Sequence, residues 1–354
     1  MSSKFAVIMA GGKGERFWPE SRESRPKQML ALFSQRTLIE ETVLRIHRVI
    51  DYENILVVTN LCYVEKLREL LPCLPPENII GEPERRDTAP CIALAAGLIK
   101  ARDPEATMMI FPADHLITDV AGFAGDLELA CREAGDLLVT IGIKPTFPST
   151  DYGYIECAGD GKVSRVLRFV EKPDRARAEE LLKAGNFCWN GGIFIWRIRS
   201  IEQAFSEFAA PLAGFMNEVA AKCRGEDFEA FLQENFARMP KISIDYAVME
   251  KARNISVIRA AFDWDDVGSW SALRKHFPGD GSGNVIKGNA VLLDSEENII
   301  FSEDDGHLIA GIGLKGMTVI HTGDVTLICP QKSSARLKEL LKIIAEDPDK
   351  ARFL

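Results

Sequence analysis

A short apolar run, Phe5 to Ala10, ends in Gly11-Gly12-Lys13-Gly14, and Arg16, Arg22, Arg25 and Lys27 follow within the next turns of the chain. The run has the length and texture of a buried parallel strand closed by glycine. Glycines leave backbone N–H groups uncovered, and cations gathered beside them suit a polyphosphate. This is not a Walker A loop, because Gly-x4-Gly-Lys-Ser/Thr does not occur. A dinucleotide fingerprint also fits poorly: Phe17 stands where the last glycine should let a helix pack closely, and Pro19 opposes an immediate long helix.

Beyond the basic loop the chain repeats the alternation of a parallel α/β sheet. Leu38 to Ile46 has helical spacing, Ile55 to Val58 is strand-like, and a helix runs from Tyr63 to Leu71. Next come Ile79-Ile80, a helix from Ala89 to Ala101 and a strand from Thr107 to Phe111 that breaks at Pro112-Ala113-Asp114-His115. A helix over Phe123 to Ala134 and a strand over Leu137 to Ile143 complete the series. From Tyr152 the texture changes to a hairpin, Tyr154 to Cys157 and Val163 to Val170, with Gly159-Asp160-Gly161 at its turn. Helices near 175–184, 201–208, 212–223 and 228–234 surround the apolar run Gly192 to Trp196, followed by a helix over 243–252 and a strand over 257–262.

Pro278-Gly279-Asp280-Gly281-Ser282-Gly283 is the clearest linker. It divides the chain into a domain over 1–278 and a small β domain over 284–354. In the latter, short β-like runs (290–293, 298–301, 308–312, 317–322, 325–329) suggest a few coils of a β-helix, ending in a helix from Ser333 to Glu346.

The chain has 354 residues, ample for a large core, and a formal charge of -9, which argues against a general nucleic-acid binder. Eight cysteines without metal spacing read as reduced core residues. The amino-terminal apolar run is too short for a signal sequence, and no later run reaches membrane-spanning length, so a cytoplasmic protein without membrane partners is expected.

Several chemistry-bearing residues fall at predicted strand ends, where open α/β sheets bind ligands. Asp114 is one; Asp263, Asp265 and Asp266 crowd the end of another strand. Two such acids converging on Mg²⁺ would explain the arrangement, and a solvated acidic turn would explain it equally. Glu171-Lys172-Pro173 offers an ion pair or a cationic ligand contact. Trp189-Asn190-Gly191-Gly192 offers an amide beside open backbone for sugar hydroxyls, or a turn entering a core strand. No Ser-His-Asp or Cys-His nucleophile is visible.

Gly11-Gly-x-Gly-x-Arg16-Phe-Trp-Pro-x-Ser21, Pro26-Lys27-Gln28, Thr88-Ala-Pro90, Pro112-Ala-Asp114-His115, Phe169-Val-Glu-Lys172-Pro, Trp189-Asn190 and Asp266-Val-Gly-Ser-Trp270 occur in order over residues 5 to 270. Together they closely resemble the sugar nucleotidyltransferases, and among them the bacterial mannose-1-phosphate guanylyltransferases. The resemblance implies a Rossmann-like (GT-A-like) domain with a mixed, mainly parallel sheet, followed by a small left-handed β-helix-like domain. It implies Mg²⁺ as cofactor, GTP and mannose 1-phosphate as substrates, GDP-mannose and pyrophosphate as products, and a homodimer. It also implies the transferase activity alone, without the isomerase domain of bifunctional relatives.

By matched position, Gly11, Gly12, Gly14 and Arg16 would cradle the GTP phosphates, and Lys27 would offset charge developing on the α-phosphate. Asp114 and Asp266 would bind Mg²⁺. Glu171, Lys172, Asn190 and Asp245 would hold the sugar phosphate, and Glu84, Asp87 and Thr88 would face guanine. The chain departs from the family at Asp87, usually Asn, and at Gly191, usually Ser or Ala. The competing readings are a relative using another nucleotide or hexose 1-phosphate, and a non-catalytic sugar-nucleotide-binding regulatory subunit on the same fold.

Overall fold

The structure is a computed structural model and describes residues 3–354. Its contacts divide the chain into two compact units. One takes residues through Gly11, Thr42–Ala113 and Ile117–Trp264; the other takes Gly12–Glu41, Asp114–Leu116 and Asp265–Leu354.

In chain order the strands up to Trp264 are β1 (Lys4–Ala10), β2 (Ile55–Asn60), β3 (Ile79–Glu82), β4 (Thr107–Pro112), β5 (Leu138–Ile143), β6 (Tyr154–Cys157), β7 (Val163–Val170), β8 (Phe187–Arg197) and β9 (Ile255–Arg259). The helices are α1 (Leu38–Ile46), α2 (Val64–Leu70), α3 (Thr88–Arg102), α4 (Val120–Glu133), α5 (Arg175–Ala184), α6 (Ile198–Phe208), α7 (Ala210–Lys222) and α8 (Phe228–Asn235). The strands form one sheet in the order β3-β2-β1-β4-β8-β5-β9-β7-β6. β1 pairs in parallel with β2 and β4, whereas β8 runs antiparallel to β4 and β5, so the sheet is mixed. The central strands are apolar on both faces, as covering helices require. α3 is buried nearly all round, and Gly97 lets it press on α7: a Cβ there would lie 2.6 Å from the Met216 carbonyl oxygen.

The second unit adds α9 (Leu273–His276), β10 (Val285–Lys287), β11 (Ala290–Leu293), β12 (Ile299–Ser302), β13 (Ile309–Ile312), β14 (Met317–His321), β15 (Thr326–Pro330) and α10 (Leu337–Glu346). β10, β12 and β14 stack in parallel, as do β11 and β13, in the manner of β-helix coils; β15 closes antiparallel on β14. Successive turns are tied by buried amides, Asn298 Nδ2 donating to Asn284 Oδ1 at 2.8 Å and Met317 N–H to Asn298 Oδ1 at 2.8 Å. This unit has its own core. Phe17, Trp18, Leu30 and Leu32 from the amino-terminal segment join Trp270, Phe301 and Ile320 in it.

Elements differ from the sequence expectation at two places that adjoin the candidate site residues, besides β10, which was not expected, and β9, expected over 257–262. The helix expected over 243–252 is a π-helical turn, Asp245–Met249, a form that clusters at functional sites. The apolar run at Gly192 belongs to an eleven-residue strand beginning at Phe187. Cys62 and Cys73 are exposed rather than core residues, and no disulfide joins cysteines among the described residues.

Candidate active site

Within the second unit, the glycine loop closes on Lys27. Gly14 has φ +67°, and a Cβ there would sit 2.2 Å from the Lys27 Cβ, so this position admits only glycine. A Cβ on Gly12 would meet nothing within 4 Å, so glycine at this position leaves open space instead of relieving a clash inside the chain. Arg16 lies exposed in the one-turn 3-10 helix Glu15–Phe17.

Lys27 is buried, with its Nζ 2.8 Å from Asp114 Oδ2 and donating to the Asp266 carbonyl oxygen at 2.7 Å. The two aspartate segments are zipped together close by, two residues past Asp114 and one before Asp266, where Leu116 and Asp265 exchange backbone hydrogen bonds of 2.9 and 3.0 Å. Burial pushes the Asp114 carboxyl up, but Lys27 and His115 together hold it below the usual range. The three acids of the 263–266 cluster do different work. Asp263 caps the backbone of Thr118 and Asp119. Asp265 is buried against Lys275 at 2.8 Å and His276 at 3.1 Å. Asp266 meets Lys27 through its backbone carbonyl.

Two of the loop cations are committed elsewhere, contrary to the charge reading of the sequence. Arg22 Nη1 donates to the Phe353 carbonyl oxygen at 2.9 Å, and its Nη2 pairs with Asp324 Oδ1 at 2.6 Å. Arg25 pairs with Glu20 at 2.8 Å. A guanidinium beside a buried carboxylate or carbonyl gains more from that fixed partner than from a solvent-facing position.

Within the first unit, Asn190 Nδ2 donates to Asp245 Oδ1 at 2.8 Å, while Asn190 Oδ1 accepts from the Gly192 N–H at 3.1 Å. Burial and the Glu171 charge raise the Asp245 carboxyl to about 6. Lys172 Nζ lies 2.9 Å from Glu171 Oε1, and that hydrogen bond raises the lysine's pKa. Of the five non-glycine residues at positive φ among the described residues, Asp87 (68°), Lys172 (40°) and Val267 (48°) belong to or adjoin the residues singled out from the sequence, where strained backbone characteristically collects.

The expected base-facing segment is more structural than its sequence suggests. Asp87 caps α3 through the Thr88 N–H at 2.8 Å. The Thr88 hydroxyl accepts from the Ile244 N–H at 2.8 Å, which anchors the segment leading to Asp245. Glu84 pairs with Arg86 at 2.6 Å. A Cβ on Gly191 would lie 3.0 Å from the Ile141 carbonyl oxygen, so a larger residue there presses on β5.

Glu82, at the end of β3, escaped the sequence reading. It is buried, its Oε1 has no hydrogen-bond partner, and burial raises the carboxyl to about 7 despite Cys91 and Arg85 beside it. Its Oε2 lies 3.7 Å from where a Gly11 Cβ would be. A carboxylate closing a short apolar strand at the ligand-binding edge was the available signal.

A family model described as nucleotidyl transferase matches residues 5–282, and one described as a mannose-phosphate isomerase/GMP-like β-helix domain matches 288–344. The Escherichia coli mannose-1-phosphate guanylyltransferase is 37% identical over 351 residues, covering 96% of this chain and 74% of that protein. The chain belongs to the mannose-1-phosphate guanylyltransferase family of nucleotidyl transferases. A Sinorhizobium fredii member is 38% identical over 359 residues, covering 98% of this chain and 69% of its own length. The crystal structure of a Thermus thermophilus protein described as a mannose-1-phosphate geranyltransferase superposes with a TM-score of 0.87 at 33% identity, covering 96% of this chain and 99% of that one. Membership makes the chain a nucleotidyltransferase with a β-helix-like carboxy-terminal part. Among the described residues no helix is long and apolar enough to cross a membrane.

Proposed function

We propose that the chain transfers the guanylyl group of GTP to α-D-mannose 1-phosphate, giving GDP-mannose and pyrophosphate. The observation that carries this reading is Lys27, fixed between the Asp114 carboxylate and the Asp266 carbonyl directly behind the glycine loop. A phosphate oxygen of the sugar phosphate attacks the α-phosphorus, the bond from that phosphorus to the bridging oxygen breaks, and pyrophosphate leaves with the electron pair. The nucleophile is already anionic, so no general base or covalent intermediate is needed, and catalysis reduces to positioning and charge screening.

The glycine-loop N–H groups and Arg16 hold the β- and γ-phosphates, and Lys27 meets the charge developing on the α-phosphate. Lys172 binds the phosphate of the sugar, with Glu171, Asn190 and Asp245 on the mannose hydroxyls. Glu82 reads guanine: its unpartnered oxygen suits N1–H or N2–H₂ as donor. Asp87 and Thr88 hold the neighbouring backbone in register.

Mg²⁺ fits this donor set. No group of three or more metal-binding side chains occurs among the described residues, but Mg²⁺ bound with a polyphosphate uses one or two carboxylates and keeps water in its remaining positions. Asp114 and Asp266 would hold it, and it would screen the phosphate charges as a Lewis acid. The proposal extends to a homodimer, which light scattering would test, and to the cytoplasm, where GTP and sugar phosphates are made.

Pyrophosphate release is measured with each of the four NTPs against mannose, glucose and galactose 1-phosphates. GTP with mannose 1-phosphate is expected to give the highest kcat/KM. Equal rates with GTP and UTP would refute the base assignment, and sugar-nucleotide binding without turnover would make the chain a regulatory subunit.

A further inference from the structure

Within the second unit, the glycine loop and α10 enclose a cavity of about 300 Å³ that the proposed reaction does not use. Trp18, Ser21 and Arg22 form one wall, and Lys338, Leu341 and Lys342 the other. Residues 338, 341, 342 and 345 share one helix face by their spacing, so two lysines flank an apolar strip. Lys13 on the rim is paired with Glu23 at 3.0 Å, and Arg22 is held by Asp324. Glu15 is the remaining acidic side chain in the lining. Lys338 and Lys342 have no ion-pair partner among the described residues, although the whole chain carries a net charge of -9. Two unneutralised ammonium groups beside an indole and a leucine match a ligand with a phosphate at one end and a flat ring at the other. The volume lies at the lower end of the range of small-molecule sites.

The wall toward the loop is also the loop's brace. Trp18 Nε1 donates to the Phe353 carbonyl oxygen at 2.7 Å, Arg22 Nη1 donates to the same oxygen at 2.9 Å, and Ser21 Oγ donates to the Gly14 carbonyl at 2.7 Å. We propose that this cavity binds a small ring-bearing organic phosphate as an effector, and that its occupancy steadies the glycine loop and lowers KM for GTP. The binding stands on the cavity alone; the effect on KM rests on the assignment of the loop to GTP.

Pyridoxal 5′-phosphate serves as the probe on the full chain, with GTP and Mg²⁺ saturating. Its aldehyde condenses with a lysine amine, losing water, and borohydride reduces the imine to a stable amine that peptide mass mapping locates. Saturable labelling of Lys338 or Lys342 is expected, slowed by adenosine 5′-monophosphate and lost in the Lys338→Glu/Lys342→Glu double variant. In turnover assays, adenosine 5′-monophosphate lowers KM for GTP by about fivefold in the parent, with no change in the double variant, whose basal turnover matches the parent's. Labelling scattered over surface lysines, or not slowed by adenosine 5′-monophosphate, overturns the site. Site-specific labelling with an unchanged KM overturns the coupling to the loop. If the proposed reaction is itself wrong, the parent shows no turnover while the labelling result still stands.

Discussion

Lys27→Met removes the ammonium that joins the glycine loop to both aspartate segments and keeps most of the aliphatic stem beside Phe17. Breaking a fully buried ion pair costs about 3–5 kcal/mol. Asp114 keeps 33% of its side chain exposed, so water recovers part of the loss, and about 2 kcal/mol is the expected destabilisation. With an unfolding entropy of about 2.1 cal/mol/K per residue, that is a fall of roughly 3 °C in Tm for 354 residues. The effect on turnover is far larger, because the lost contact acts on charge that develops in the transition state: kcat falls on the order of 10²–10³-fold. Calorimetry and a coupled pyrophosphate assay measure the two quantities on the same preparation. The lowered pKa of Asp114 adds a pH signature. A depressed carboxyl stabilises the fold above its unfolded pKa of about 3.9 and loses that contribution as pH falls through its folded value, so the Tm gap between parent and variant narrows at acid pH. A kcat within about threefold of the parent, with Tm lowered as expected, would make Lys27 a structural lysine and refute its catalytic role.

Asp245→Asn acts in the opposite sense on stability. The carboxyl's folded pKa of about 6 lies above its unfolded value, so its favourable contribution is full at acid pH and lost as pH rises through 6. The amide should therefore raise stability by about 1–2 kcal/mol near neutrality while raising KM for mannose 1-phosphate, read by denaturant titration and kinetics. The same titration predicts that KM for the sugar phosphate in the parent rises below pH 6. Glu82→Gln should cut kcat/KM for GTP by about 10-fold or more and shrink the preference for GTP over ITP, which lacks the N2 amino group. Chelation with EDTA should abolish turnover, with Mg²⁺ restoring it and Tm little changed in the absence of nucleotide; activity surviving chelation would remove the metal role from Asp114 and Asp266.

Strand ends were legible where an apolar run stops at glycine or proline, as at Gly11 and Pro112, and Asp114 lies just beyond the second of these, whereas Asn190 lies inside β8 and Asp266 lies well past the end of β9. Their partners were less visible. An arginine in a basic loop looks the same whether it faces phosphate or Asp324, and only the folded chain commits Arg22 to the latter. The membership of Phe17, Trp18, Leu30 and Leu32 in the same core as Trp270 and Phe301 has no periodic signature, since it depends on packing between segments far apart in sequence. Glu82 closes β3, a strand of only four residues, and the use of the Thr88 hydroxyl, a residue the sequence does single out, is set by the backbone of Ile244.

The carbonyl of Phe353 receives both Trp18 and Arg22, contacts that span 335 and 331 positions of the chain. Such long-range closure is made late, because loop entropy must be lost before the contact repays it. Two hydrogen bonds of the segment after the glycine loop therefore wait for a partner more than 300 positions further along the chain. The pairings of the nine-stranded sheet need no such closure, so the sheet can form before that segment is fully braced, and the loop matures later than the strand that leads into it.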